Sequence, residues 1–568
     1  MTETISQSIK KALSELGLPE VTFVVEHPEL LAHGDYATNV AMVLGKKTGK
    51  NPKELAEEIL KKLEANKPEE VESLSIAGPG FINIHLSKLF FEKSIREIIK
   101  KGDEYGTNSR LKGEKTIVEY TDANPFKEFH IGHLMSNTVG ESLARLIQSQ
   151  GAEVKRACYQ SDVGMHIACA IWGLLQEKKE KGCKVSSLTN AFELGQAYAR
   201  GATALGESED AKKEITEINK KIYQKTDKEI EELYNWGRDL SLRYFDSIYK
   251  RLGTKFDYLF FESTTGEFGK VLVLENTKSV FEESGGAIVY HGEERDPKLH
   301  TRVFINSEGL PTYEAKDLGL AKVKYDTYPY ETSIIVTASE QNDYFRVLLS
   351  ALHEVFPELA KKTRHISHGL LKLPTGKMSS RTGRVITAEW LIEEVKKTAL
   401  EKINLNDRNI VNKEFLAEQI AVSAIKYSIL KQALGRDIVF DFDKSISFEG
   451  DSGPYLQYTN ARANSIIEKA REKGIKPKIK PNQNTTDIER TLYRFPEVVE
   501  RASMEYAPHH LVTYLTELSS IFNSFYASEQ IIDVKDENSS YKVALTQSFS
   551  HVIKNGLSLL AISVPEKM

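Results

Sequence analysis

The clearest pattern along the chain is a strand followed by a turn and a long helix. Residues 115–121 (KTIVEYT) are rich in β-branched and aromatic side chains, which predicts a buried strand. Residues 122–125 (DANP) have turn chemistry, because Asn and Asp bond their own backbone and Pro fixes φ. A helix pattern follows from Gly132 onward. Its apolar positions recur at helical spacing: Leu134, Leu143, Leu146 and Ile147.

The remaining patterns predict a multidomain α/β protein. The βαβ order around the first strand is typical of a doubly wound, Rossmann-like domain, and a run of Lys and Glu at helical spacing indicates a solvated helical insertion. The predicted regions are a small α+β domain (1–110), the Rossmann-like domain (111–390) with its helical insertion (about 176–250), a helical connecting region (391–450) and an all-α domain (451–568).

Apolar segments beyond the insertion are predicted to continue the same sheet. They are residues 287–290, 302–305 and 334–337. Ligands of open α/β sheets gather at the carboxyl ends of strands, and Gln341 follows the last of these segments. Tyr313 and Asp317 are four positions apart at the start of a predicted helix, so they share one face.

Composition favours a soluble enzyme. Hydrophobic residues make up 40% and charged residues 28% of the 568 positions, and this length predicts three or four domains. No apolar run approaches a membrane span, and the N-terminus lacks a signal-peptide pattern. Cys158, Cys169 and Cys183 form no C-x-x-C pair, so we expect a reducing, cytoplasmic location. The net charge of −5 does not indicate a nucleic-acid partner.

The predicted loop between strand and helix is a candidate anion site. The first N–H groups of a helix are unsatisfied and its dipole is positive there. His130 and His133 lie at this helix start, and Lys127 comes just before them. A site of this build suits a nucleoside triphosphate.

These residues resemble the two signature motifs of class I aminoacyl-tRNA synthetases. Residues 130–133 read HIGH, the phosphate-binding motif of that class, and residues 377–381 (KMSSR) look like its second motif, KMSKS. The string EYTDANPFKEF at 119–129 is similar to arginyl-tRNA synthetases in particular. GDYATN, GPGFINI, GPYLQY and the closing SVPEKM extend the resemblance from near the start of the chain to Met568.

The resemblance implies a ligase that joins arginine to tRNA(Arg) through an arginyl-adenylate, using ATP with Mg²⁺ and releasing AMP and pyrophosphate. It implies a tRNA-contacting N-terminal domain, an anticodon-binding C-terminal domain and neither structural zinc nor a protein metal site. We also expect a monomer that binds no membrane. The implied catalytic residues are Lys127, His130, His133 and Lys377. The implied ATP-binding residues are His130, Gly132, His133, Lys377, Met378, Ser379 and Arg381. The implied arginine-binding residues are Glu119, Asn124, Tyr313, Asp317 and Gln341.

The second motif departs from the family pattern at Ser380, where KMSKS has its second lysine. In arginyl enzymes a lysine just before HIGH is thought to compensate, and Lys127 stands in that place. Lys377 is kept as well, so Lys127, Lys377 and Arg381 share the expected task of neutralising the triphosphate.

Two alternative functions stay open at this point. A nucleotidylyltransferase acting on a small molecule shares HIGH-type motifs but has no need of a helical C-terminal domain. The second alternative is a catalytically idle tRNA-binding relative, and the intact HIGH motif and Lys377 argue against it. Within class I, the absence of a cysteine zinc site disfavours a cysteinyl relative.

Overall fold

The structure is a computed structural model that describes residues 1–181, 191–374, 386–405, 410–479 and 485–568. Its helices are α1 (Thr2–Glu15), α2 (Val40–Thr48), α3 (Pro52–Ala65), α4 (Lys88–Lys101), α5 (Ile131–Ser149), α6 (Met165–Lys181), α7 (Ala191–Glu207), α8 (Glu209–Gln224), α9 (Lys228–Leu252), α10 (Glu262–Glu275), α11 (Tyr313–Thr327), α12 (Asn342–Val355), α13 (Pro357–Lys362), α14 (Ala388–Leu405), α15 (Lys413–Leu430), α16 (Phe442–Ser445), α17 (Gly453–Glu472), α18 (Asp487–Leu492), α19 (Phe495–Met504), α20 (Pro508–Ser528) and α21 (Ser539–Leu559). Its strands are β1 (Val25–Glu26), β2 (Tyr36–Thr38), β3 (Val71–Ala77), β4 (Phe81–Leu86), β5 (Lys115–Glu119), β6 (Glu153–Gln160), β7 (Tyr258–Phe261), β8 (Glu282–Ser284), β9 (Ala287–His291), β10 (Thr301–Ile305), β11 (Thr332–Ala338), β12 (Thr363–His368), β13 (Leu371–Lys372) and β14 (Ile438–Val439).

The central domain is built on a parallel sheet of five strands in the order β12-β11-β5-β6-β7. Val118, Ile334 and Val336 in its middle strands are completely buried, as expected of a parallel sheet covered on both faces. Because all five strands run the same way, their carboxyl ends meet at one edge. The strand–loop–helix pattern predicted at residue 115 forms β5 and α5 in the middle of this arrangement.

Two of the segments expected to continue this sheet do not join it. β9 and β10 pair antiparallel with each other and, together with β8, form a separate three-stranded sheet. Their burial explains the error, since β10 keeps Thr301 and Val303 exposed and β8 is exposed throughout. Antiparallel sheets tolerate one solvated face, whereas a strand in the central sheet would be covered on both. The third segment lies in β11, inside the central sheet.

The helical insertion consists of α6 to α9 and has a hydrophobic core of its own. Ile167, Ile171, Leu194 and Ile215 are buried in it, while the Lys and Glu residues of α8 face outward. None of the described helices has the length and apolarity needed to span a membrane.

The first and last regions of the chain pack against each other. The N-terminal domain joins α1 to α4 to an antiparallel sheet in the order β1-β2-β4-β3. The C-terminal region is helical from α17 to α21. Tyr493, which lies between α18 and α19, is buried within the hydrophobic core of the N-terminal domain. Helices α4 and α21 are also in contact.

Candidate active site

The loop between β5 and α5 is held in an unfavourable backbone conformation. Thr121 has φ 82° and Asp122 has φ 49°, in the left-handed region that β-branched residues avoid. The backbone N–H of Thr121 donates to Ser136 Oγ (2.9 Å), and Asn137 Nδ2 donates to Thr121 Oγ1 (3.0 Å). Ser136 and Asn137 belong to α5, so the helix fixes the loop that precedes it.

The two histidines of the HIGH motif cap the helix that they begin. His130 Nδ1 accepts the backbone N–H groups of Gly132 (3.1 Å) and His133 (3.3 Å), while His133 Nδ1 accepts the N–H of His130 (3.3 Å). The rings are stacked with centroids 3.5 Å apart. Since both Nδ1 atoms are acceptors, each neutral ring carries its proton on Nε2.

Burial keeps these rings neutral. Burial and then the charge of Lys127 lower the pKa of His130 to about 4. The same influences, with His130 added, hold the pKa of His133 well below its usual range. The helix start therefore offers neutral Nε2–H donors, which suit an anion without needing a proton from solvent.

The chain on the far side of the second motif is hydrogen-bonded to the HIGH turn. The N–H of Ile131 donates to Ile386 O (3.1 Å), and the N–H of Ala388 donates to Phe129 O (2.8 Å). Lys377, Met378, Ser379 and Arg381 themselves lie outside the described residues. The structure thus places the end of the segment that contains them beside His130.

The carboxyl group of Asp317 has a neutral hydrogen-bond partner. Tyr344 OH donates to Asp317 Oδ2 (2.5 Å). Burial raises the pKa of Asp317 to about 8, and the nearby carboxylates of Glu119 and Glu262 act in the same direction against the Tyr344 bond. Raised carboxyl pKa values of this kind are typical of functional sites.

Glu119, at the end of β5, has a cationic partner already. Its Oε2 accepts from Lys324 Nζ (2.6 Å), and both side chains are almost fully buried. Burial lowers the pKa of Lys324, but the charge of Glu119, its hydrogen bond and the nearby Tyr330 and Asp122 together raise that pKa above its usual value. Glu119, Asp317 and Lys324 line one small cavity.

Of the other three residues expected to bind arginine, Asn124 and Gln341 follow strands of the central sheet, and Tyr313 begins α11. Tyr313 is the first residue of α11 and is 57% exposed. Asn124 is half-buried in the loop after β5, and its carbonyl accepts the N–H of Lys127 (3.2 Å). Gln341 is exposed and ends the short 3-10 helix that follows β11.

Comparison with known proteins decides the family. The profile described as tRNA synthetases class I (R), catalytic domain, matches residues 94–442. The arginyl-tRNA synthetase N-terminal domain matches residues 3–86, and the DALR anticodon-binding domain matches residues 456–568. An arginine–tRNA ligase of Clostridium botulinum is 31% identical over 569 residues, which cover 99% of each chain.

The chain belongs to the arginyl-tRNA synthetase family. An arginine–tRNA ligase of Thermococcus kodakarensis is 29% identical and spans 99% of this chain and 98% of its own length. The arginyl-tRNA synthetase structure from Thermus thermophilus superposes with a TM-score of 0.81 at 26% identity, covering 100% of both chains. The predicted resemblance and fold class are confirmed, with a helical C-terminal domain that matches the anticodon-binding profile.

Sequence reasoning missed several buried polar residues of this arginyl-tRNA synthetase-like site. Asp162 follows β6 and accepts from Ser263 N, Ser263 Oγ and Tyr234 OH, each at 2.8 Å. Lys316 Nζ donates to Glu262 Oε2 (2.6 Å) in a buried pair. The available signal is Gly269 of α10 and Gly319 of α11, because glycine permits the close approach of two backbones.

Tight packing of α10 on α11 explains that burial. A Cβ on Gly269 would lie 1.8 Å from Ala315 O, and one on Gly319 would lie 2.4 Å from Thr265 O. These close approaches bring the backbones together beside Lys316, whose side chain is only 5% exposed. It therefore pairs with Glu262, as buried charges must.

Proposed function

We propose that the chain is an arginine–tRNA ligase whose described site activates arginine with ATP and then passes it to tRNA(Arg). The observation that carries this site assignment is the meeting of two features at one edge of the sheet. Neutral imidazole donors lie at the start of α5, and the raised-pKa carboxylate of Asp317 lies on α11. The first suits a triphosphate and the second suits a guanidinium.

In the first step, an oxygen of the arginine carboxylate attacks the α-phosphorus of ATP in line. The new P–O bond forms as the bond to pyrophosphate breaks, so charge builds on the phosphate oxygens. His130 and His133 donate through Nε2–H, and Lys127 contributes a positive charge. With pKa values this low, the histidines act as hydrogen-bond donors and not as general acids or bases.

Mg²⁺ belongs in this proposal to the incoming ATP. No group of three or more His, Cys, Asp or Glu residues able to hold a metal is found in the described part of the chain. Phosphate oxygens and water are the usual ligands of such an ion.

In the second step, a hydroxyl of the terminal adenosine of tRNA attacks the carbonyl carbon of the adenylate. The ester bond to tRNA forms and the bond to AMP breaks, so that AMP carries away the electron pair, while the hydroxyl proton passes to the departing phosphate or to solvent. Asp317, with Tyr313, Asn124, Gln341 and Glu119, is proposed to keep the arginine side chain in place through both steps.

The remaining expectations stay proposals. We propose that Lys377, Met378, Ser379 and Arg381 bind the triphosphate, and that the enzyme works as a monomer in the cytoplasm. The anticodon-binding domain supports a tRNA partner. The full-length match to arginine–tRNA ligases does not favour the idle relative or the small-molecule nucleotidylyltransferase.

Pyrophosphate exchange tests the proposed function directly. The purified protein is incubated with ATP, labelled pyrophosphate and each of the twenty amino acids in turn, with and without total tRNA. Exchange with arginine alone among the twenty supports the proposal. Exchange with another amino acid, or none with any of them in the presence of tRNA, overturns it.

A further inference from the structure

The helical insertion holds the loop that carries Lys127. Phe126 is completely buried in the insertion's own core, although it precedes HIGH in the sequence. Its backbone N–H donates to Ser241 Oγ of α9 (2.9 Å). A Cβ on Gly237 of α9 would lie 2.3 Å from the Phe126 ring, so only glycine allows this contact. The insertion therefore fixes the residue immediately before Lys127.

A second helix of the insertion approaches the residue immediately after Lys127. Glu128 lies against Gly195 of α7, where a Cβ would be 3.1 Å from Glu128 Cγ. Tyr198 comes three residues after Gly195 and so lies on the same face of α7. The Lys127 ammonium lies over the Tyr198 ring, 4.7 Å from its centroid.

We propose that Tyr198 is a positioning residue for Lys127, through which the insertion presents this lysine to the triphosphate. A lysine side chain has four rotatable carbons and a strongly hydrated charge, so it needs a partner to stay in one place. An aromatic face attracts the ammonium without neutralising it. The charge therefore remains available for the phosphates.

The location of Lys127 supports this role. Its charge is close enough to lower the pKa values of both His130 and His133. With Phe126 and Glu128 held by α9 and α7, its backbone is tied to the insertion. The charged sequence of the helical insertion indicates only a solvated surface. Through Lys127, the insertion thereby contributes to amino-acid activation. This inference rests on the proposed function.

Substitutions at Tyr198 test the proposal. In arginine-dependent pyrophosphate exchange, Tyr198→Leu should lower kcat roughly two- to fivefold, the range of a partly exposed cation–π contact, with KM for ATP changed less than twofold. Tyr198→Phe keeps the ring and should retain the wild-type rate. Phe192→Leu removes an exposed ring from the same helix and is the matched control, expected to be unchanged.

A double-mutant cycle separates positioning from simple support of the fold. Tyr198→Leu should cost nothing further in a Lys127→Ala background, because the ring then has no ammonium to hold. Additive losses, or an equal loss in Tyr198→Phe, would overturn the inference. If Tyr198→Leu melts early, Tyr198→Met replaces it in the cycle with the same two outcomes. Wild-type exchange with arginine is measured alongside, so a failure of the proposed function is seen separately.

Discussion

At the scale of single residues, the histidines of HIGH have an observed structural task and a proposed chemical task. Their Nδ1 atoms accept backbone N–H groups and close the start of α5, which is the work of a capping box. Their Nε2–H groups remain as donors. A side chain that caps the helix but has no donor at the position of Nε2 should keep the capping role and lose the donor role.

His130→Asn is such a change, since Asn is among the best N-cap residues. We expect its thermal midpoint to stay near that of the wild type, while kcat for pyrophosphate exchange falls by roughly one to three orders of magnitude. His130→Ala should lose the same activity and also about 1 kcal/mol of stability. Full exchange activity in a folded His130→Asn enzyme would contradict the proposed role of Nε2.

The arginine contact proposed for Asp317 should make the affinity for arginine depend on pH. Its pKa of about 8 means that the carboxyl is mostly protonated at neutral pH in the free enzyme. The guanidinium needs the ionised form, so arginine binding must expel a proton. KM for arginine should therefore rise about tenfold for each unit that pH falls below 8, and level off above it.

Asp317→Asn should remove this pH dependence. It should also raise KM for arginine by roughly 10²-fold or more, the usual result of deleting one partner of a buried charge pair. KM for ATP, measured in the same assay between pH 6 and 9, is the internal control and should hardly change. A flat wild-type profile would contradict the raised pKa, and an unchanged KM for arginine in Asp317→Asn would show that Asp317 does not contact the guanidinium.

At the scale of elements, α5 links HIGH to the end of the chain. Near its C-terminal end, Arg145 donates to Glu141 Oε1 (2.7 Å), Ser558 O (2.9 Å) and Gly253 O (2.9 Å). Close by, the buried Lys426 of α15 donates to Leu252 O (2.5 Å) and Ala561 O (2.6 Å). Both side chains thus join the end of α9 to the segment where α21 ends. Burial and the charge of Arg145 lower the pKa of Lys426 to about 7.

Lys426→Met should destabilise the protein strongly. It leaves two buried carbonyls without donors, at about 1–3 kcal/mol each. Lys431→Met is the matched control at the end of the same helix, because Lys431 makes a partly exposed ion pair with Asp451, worth about 1 kcal/mol or less. Thermal unfolding of the two variants measures the difference, and equal midpoints would contradict the argument.

Local and long-range features of these elements differ in how far the sequence predicts them. The strand, loop and helix of HIGH are encoded within about forty residues by β-branched runs, turn residues and helical spacing. The Glu119–Lys324 pair joins residues 205 positions apart. A local sequence pattern cannot predict a partner at that distance. The assignment of β9 and β10 to the wrong sheet has the same origin, since strand pairing is decided by tertiary packing.

At the scale of the whole molecule, the N-terminal domain is attached directly to the C-terminal helices. Glu497 of α19 accepts from Tyr36 OH (2.8 Å) and bonds His27 Nε2 (3.0 Å). Arg490 donates to Leu31 O (2.9 Å) and lies 3.5 Å from the buried carboxylate of Asp35. Asp35 and Tyr36 belong to the GDYATN string, so part of that string has a docking role between the two ends of the chain.

The pKa of Glu497 predicts how this docking responds to acid. Burial alone would raise the pKa, but His27, the amino terminus and Tyr36 together lower it to about 2. An unfolded glutamate has a pKa of about 4.3. The folded value is the lower one, so the stabilisation is complete above about pH 5 and is lost as pH falls towards 2.

Glu497→Gln should therefore lower the thermal midpoint at pH 7, by the equivalent of about 1.5–3 kcal/mol for hydrogen bonds to a charged group. The gap between variant and wild type should close as pH falls from 5 towards 2. Glu500→Gln is the control on the same helix, because Glu500 pairs with Arg110 at the surface and should contribute about 1 kcal/mol or less. If one tRNA binds to the N-terminal domain and the C-terminal helices together, Glu497→Gln should also raise KM for tRNA and leave KM for ATP unchanged. A gap that stays constant down to pH 2 would mean that Glu497 stabilises the interface by packing alone.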